Sequence, residues 1–208
     1  MRKKVKKGMT LIEMMMAIFI FTLGILGFTY MFGQVWKMNG FTLEEGQDAM
    51  KASQAVDNLV VELRRASQSA TGAYPLVSGT STDLVMYVDV DNDGVVERVH
   101  YYYDLAHGQL KKGITKPSGS PASYPDGDQT TTVFVDNVFN TATDPIFYYY
   151  NSSYPGDAAH NPLSVPINPA DVRLIKVLLF INIRPVTAPD NIKVESFAEL
   201  RNINDYQQ

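Results

Sequence analysis

Lys7-Gly8-Met9-Thr10-Leu11-Ile12-Glu13, continued by the uncharged run Met14 to Trp36, decides what this fold is built around. The run is 23 residues long, and a bilayer core of ~30 Å needs about 20 helical residues to cross it. Trp36 and Lys37 close it with an indole and an ammonium suited to the headgroup level. A secretory signal has a shorter apolar region and a small-residue cleavage site beyond it, so this segment reads as a retained span.

Charge sets its orientation. The chain has 208 residues with 18 Lys+Arg against 22 Asp+Glu, and Arg2, Lys3, Lys4, Lys6 and Lys7 fall in the first eight positions. That cluster predicts a cytoplasmic N-terminus by the positive-inside rule. The other 200 residues hold 13 basic and 22 acidic side chains, a net −9, and an acidic body argues against nucleic acid as a partner. Cysteine is absent, which excludes disulfides, thiolate metal sites and cysteine nucleophiles. Glu13 stands at the cytoplasmic entrance of the run, where a carboxylate needs a partner or the interface. It reads either as an interfacial residue beside the lysines or as the counter-charge for an amine on another chain.

The heptapeptide ahead of a long apolar helix resembles the class III leader of type IV pilins and type II secretion pseudopilins. The resemblance implies cleavage between Gly8 and Met9 by prepilin peptidase, N-methylation of Met9, and pairing of Glu13 with a neighbouring subunit's N-terminal amine. Leu63-Arg64-Arg65-Ala66 and Glu199-Leu200-Arg201-Asn202 are similar to stretches of minor pseudopilin J and related minor pilins. Implied partners are sibling pilins and pseudopilins, the membrane assembly platform and its ATPase. The implied location is the bacterial inner membrane, single-pass, with the C-terminal part exported and carried into a filament or to the cell surface.

All eleven prolines lie from Pro75 onward, so helix is expected from Met9 to about Ser67, with Gly24, Gly27, Gly33, Gly40 and Gly46 as points of bending and Gly24 and Gly27 read alternatively as sites of close helix packing. Ala49, Ala52, Val56, Leu59, Val60 and Leu63 recur at three- and four-residue spacing, the mark of an amphipathic helix. Beyond Thr71-Gly72 the period changes. Strands are expected at 83–89, 95–104 and 109–115 as a meander, then at 132–138, 146–150, 172–183 and 192–200. The run 172–183 is apolar on both faces and reads as a central strand. The expected fold class is α+β: a long N-terminal helix, its first half membrane-spanning, packed on a mostly antiparallel sheet, which is also the pilin-like fold the resemblance implies. The expected parts are a leader (1–8), a transmembrane half-helix (9–37), an amphipathic half-helix (38–70) and a β-rich exported domain (71–208).

Asp89-Val90-Asp91-Asn92-Asp93-Gly94 has the alternating acid spacing of an EF-hand loop, with Glu97 at the ninth position and His100 where a bidentate Glu would stand at the twelfth. The stretch reads first as a hairpin turn. Its other reading is a calcium site at Asp89, Asp91, Asp93 and Glu97, making calcium the one candidate cofactor. His100, His107 and His160 show no catalytic spacing, and no nucleophile elbow or phosphate loop is present, so no enzyme is expected. The tyrosine triplets Tyr101–Tyr103 and Tyr148–Tyr150 read as cross-strand packing. A structural filament subunit is the leading function. An uncleaved single-pass protein that binds a ligand or calcium is the alternative.

Overall fold

The computed structural model describes residues 8–181 and 192–200, with the side chains of 39–49 outside that set. Expectations for Arg2 to Lys7, Ile183, Arg201 and Asn202 therefore lie outside the described residues. The fold is α+β and pilin-like: one long N-terminal helix followed by antiparallel sheet. Two compact units divide the chain, Met1–Gln47 and Asp48–Gln208.

Helix α1 spans Leu11–Arg64 without interruption at Gly24, Gly27 or Gly33. Its segment Leu11–Met38 has a mean hydropathy of 2.2 with none of its window buried. Apolar residues stand all round this segment, as an environment with no preferred wet side requires. Phe28, Phe32 and Trp36 form an i,i+4 aromatic ladder along it, with ring centroids 6.1 and 5.7 Å apart. A Cβ at Gly24 or Gly27 would meet nothing within 4 Å, so neither glycine is required by contacts inside the chain.

In the second unit the helix becomes one-sided. Ala52, Val56, Leu59, Val60, Leu63 and Ala66 are buried, and Asp57, Asn58 and Val61 are exposed. The buried stripe packs into a core shared with Leu84, Met86, Val99, Tyr101, Phe147, Tyr149, Ile175 and Leu179. Full burial of each large side chain contributes about 1.5–3 kcal/mol, and this, more than helix propensity, holds the segment helical.

Among the described residues eight strands follow: β1 (Leu76–Gly79), β2 (Asp83–Val88), β3 (Glu97–Asp104), β4 (Gln109–Thr115), β5 (Thr130–Val135), β6 (Phe147–Tyr150), β7 (Leu174–Ile181) and β8 (Ile192–Glu199). They make two sheets and not one: β1-β2-β3-β4-β5 and β6-β7-β8, with every pair antiparallel. The expected meander is β2-β3-β4, and β7 is the central strand of the smaller sheet. Ile175, Val177, Leu179 and Ile181 face the core, while Leu174 and Phe180 are half-buried on the other side. The sheets separate because the chain after β5 turns at Asn137, whose φ is +56°, and meets β7 through the bridge Val138–Ile181, the bond from Phe139 N–H to the Phe180 carbonyl, and the Asn140 side chain, which donates to the Leu178 carbonyl and accepts from Phe180 N–H. β1 was not among the expected strands; it is a four-residue edge that follows Pro75 directly.

Each tyrosine triplet buries one ring completely. Tyr101 donates to Glu62 Oε2 at 2.6 Å, and Tyr149 donates to the carbonyls of Thr80 and Asp83 at 3.0 and 3.2 Å. Burial raises the pKa of both phenols well above the ordinary value, and for Tyr101 the Glu62 carboxylate adds to the effect. The triplets are packing elements, as the alternation of β-residues suggests.

Candidate functional site

Gly8 and Met9 are exposed and precede the helix. Thr10 is its cap. Thr10 N–H and Thr10 Oγ1 both donate to Glu13 Oε2, at 2.8 and 2.9 Å, and Glu13 N–H points back at Thr10 Oγ1 at 3.4 Å. This reciprocal arrangement is a capping box, which satisfies amide donors that the first turn leaves without helical acceptors. The first helical bond, Met14 N–H to the Thr10 carbonyl, follows at 3.1 Å. Within a single chain, then, the carboxylate at the head of the apolar segment is held locally through one oxygen.

The second candidate is the β2–β3 loop. Its backbone reverses through Asn92 and Gly94, at φ +60° and +86°, where glycine and asparagine are tolerated without the usual Cβ penalty. Asp89 Oδ2 accepts Gly94 N–H at 3.0 Å, Asp93 Oδ1 accepts Val95 N–H at 2.8 Å, and Glu97 Oε2 accepts Val90 N–H at 3.0 Å. Oxygens of Asp89, Asp91 and Glu97 all lie within 4.8 Å of one another. Asp93, the fourth acid of the motif, is outside that group. The loop is therefore a tight turn, as its composition suggests, and it also gathers three of the four expected ligands. His100, at the position of the EF-hand's last ligand, faces away from the loop, with Nδ1 3.1 Å from Asp128 Oδ2 and Nε2 3.5 Å from Asp83 Oδ1.

Two cations that the motif does not contain complete the loop. Lys116 Nζ lies 3.1 Å from Asp91 Oδ2, 3.2 Å from Asp93 Oδ2 and 3.3 Å from Glu97 Oε1. Lys116 pairing holds the Asp91 carboxyl below its ordinary range, and the three carboxylates raise the lysine. The register explains the meeting. Arg98 stands opposite Thr115 in the β3–β4 ladder, so one step further brings Glu97 and Lys116 together, an opposite-charge cross-strand pair. Arg65, at the end of α1, donates to the Asp89 carbonyl at 2.6 Å and to the Asn92 side-chain oxygen. Arg64 beside it donates to the Phe197 carbonyl of β8 at 3.3 Å. The Arg64-Arg65 pair thus ties the helix end to both sheets.

A family model described as the prokaryotic N-terminal methylation motif matches residues 3–29. The leader is type IV pilin-like. The match and the apolar helix are consistent with membrane anchoring, and the motif implies prepilin peptidase processing and assembly with other pilins. No curated protein and no solved structure matches the chain.

Proposed function

We propose that this chain is a minor pilin or pseudopilin, a structural and non-catalytic subunit of a type II secretion pseudopilus or a type IV pilus. One coincidence carries the reading: the methylation motif at 3–29 ends inside an exposed apolar helix that continues as the spine of an antiparallel domain. No proline interrupts the apolar segment, which favours a minor over a major subunit.

In this reading the peptidase cuts between Gly8 and Met9, and Met9 is N-methylated. Cleavage discards the basic leader and leaves a more acidic exported chain. The new amine of one subunit meets Glu13 of the next, exchanging the local Thr10 bonds for a charge-assisted pair in a low-dielectric helix core. Gly24 and Gly27, open on all sides in the single chain, are then places where neighbouring helices approach closely. The exported domain faces outward or sits at the tip against sibling subunits, and the ATPase acts through the membrane platform.

Glu13→Ala tests the pairing. The variant should insert in the membrane as the wild type does, yet its recovery in sheared filaments, read by immunoblot, should fall at least about tenfold. Normal incorporation would remove the charge-pairing mechanism.

A further inference from the structure

The β2–β3 loop is short of positive charge. Asp89, Asp91, Asp93 and Glu97 face Lys116 and Arg65, which leaves two negative charges uncompensated. Arg65 spends its hydrogen bonds on a carbonyl and an amide oxygen instead of a carboxylate. Lys116 pairs with Asp91, Asp93 and Glu97, but no ion pair joins it to Asp89 among the described residues.

Asp89 Oδ1 is sealed from solvent and accepts no hydrogen bond, and Glu97 Oε1, equally sealed, has an ion pair alone. Glu97 is 1% exposed, and its Oε1 has only the Lys116 ammonium at 3.3 Å. An anionic oxygen removed from water without a hydrogen bond loses its hydration with nothing to replace it. Asp89 Oδ1 is such an oxygen, and the carboxylates of Asp89, Asp91 and Glu97, with oxygens within 4.8 Å of one another, mark a cluster that one ammonium does not neutralise.

We propose that Asp89, Asp91 and Glu97 bind a calcium ion, and that Lys116 is a tethered competitor whose ammonium occupies part of the same pocket and swings aside when the ion enters. Hard carboxylate oxygens suit calcium or magnesium over zinc. Calcium takes oxygens at about 2.3–2.6 Å in a flexible geometry, which suits carboxylates drawn from a turn and a strand, whereas magnesium at about 2.0–2.1 Å demands a near-ideal octahedron. The ion carries the two charges that the loop lacks. Glu97 does the work that the missing twelfth-position glutamate does in an EF-hand, from the first residue of a strand. Binding would pin the β2–β3 turn and release Lys116, the residue that opens the segment leading to β5. This site is independent of the filament reading, which stands or falls by other experiments.

The test is calorimetric titration of the full chain in detergent micelles with calcium chloride, alongside magnesium chloride. The wild type should bind one calcium with a Kd on the order of 10⁻⁴–10⁻³ M, the range of weak extracellular sites. Lys116→Gln, which removes the competitor, should bind at least about tenfold tighter. Asp91→Asn, at an exposed position that tolerates the change, should weaken binding at least about tenfold. No heat from either wild type or Lys116→Gln at about 10 mM calcium would overturn the site. An equal affinity in wild type and Lys116→Gln would overturn the competition, and an equal response to magnesium would overturn the choice of ion.

Discussion

The two halves of α1 use the same kinds of side chain in opposite ways. From Leu11 to Met38 every large apolar residue is exposed; from Ala52 to Leu63 the apolar stripe is buried almost completely. The difference is arrangement. The first half is apolar on all sides and none of it is buried within the described residues, which is consistent with a lipid or helix-bundle environment. The second half alternates with a 3.6-residue period and finds its partner in the sheets. The carboxylates follow the same division: Glu13 is satisfied three residues away by Thr10, Glu62 by Lys112 and Tyr101 across the core.

One substitution made in both halves should separate them most clearly. Leu59→Ala removes a side chain with no exposure and should cost about 3 kcal/mol, while Leu26→Ala should leave unfolding of the β-rich domain unchanged within about 0.5 kcal/mol. Thermal unfolding of the full chain in micelles reads both, with a Tm drop of roughly 2–4 °C per kcal/mol for a chain of this size. Equal effects would break the contrast.

The carboxylate pair sharpens it. Lys112 Nζ and Tyr101 Oη lie 2.6 Å from the two oxygens of Glu62, and Lys112 is 7% exposed. Glu62→Ala strands that ammonium against the core and should destabilise the domain by roughly 3 kcal/mol at most, since the pair keeps some solvent access. Lys112→Met with Glu62→Leu should recover part of the loss, because no ammonium is left stranded, although the Tyr101 hydroxyl still loses its acceptor. Glu13→Ala should not move the Tm of the β-rich domain at all.

The smallest effect belongs to acid. Asp104 is held at a pKa of about 2, first by the hydrogen bond from Lys111 and then by that from His107. Its folded pKa lies below the unfolded value, so its contribution is complete above about pH 4 and disappears as the pH falls towards 2. Asp104→Asn should therefore flatten a slight decline of Tm between pH 4 and 2 and change little at pH 7.

Much of this was legible from spacing alone. The helix, its change of character, the meander, the central β7 strand and the pilin-like leader all follow from local pattern. What escaped was set by contacts between distant residues. Four residues after Pro75 were too short to read as β1, and the division into two sheets depends on the turn at Asn137 and on how β7 meets residues 138–139. At the acidic loop, the motif marks Asp89, Asp91, Asp93 and Glu97, yet the pairing of β3 with β4 brings in Lys116 and the helix end brings in Arg65. Only the β3–β4 register, which a hairpin reading of 95–115 contains in principle, could have pointed to Lys116. His100 alternates as a strand residue should, and its two aspartates come from β2 and from the loop before β5.

Intact-mass spectrometry of the chain extracted from membranes of cells that contain prepilin peptidase tests the filament-subunit reading most directly. The expected mass is that of residues 9–208 with one added methyl group on Met9. A chain that keeps the stub from Arg2 to Lys7 in those cells would contradict it.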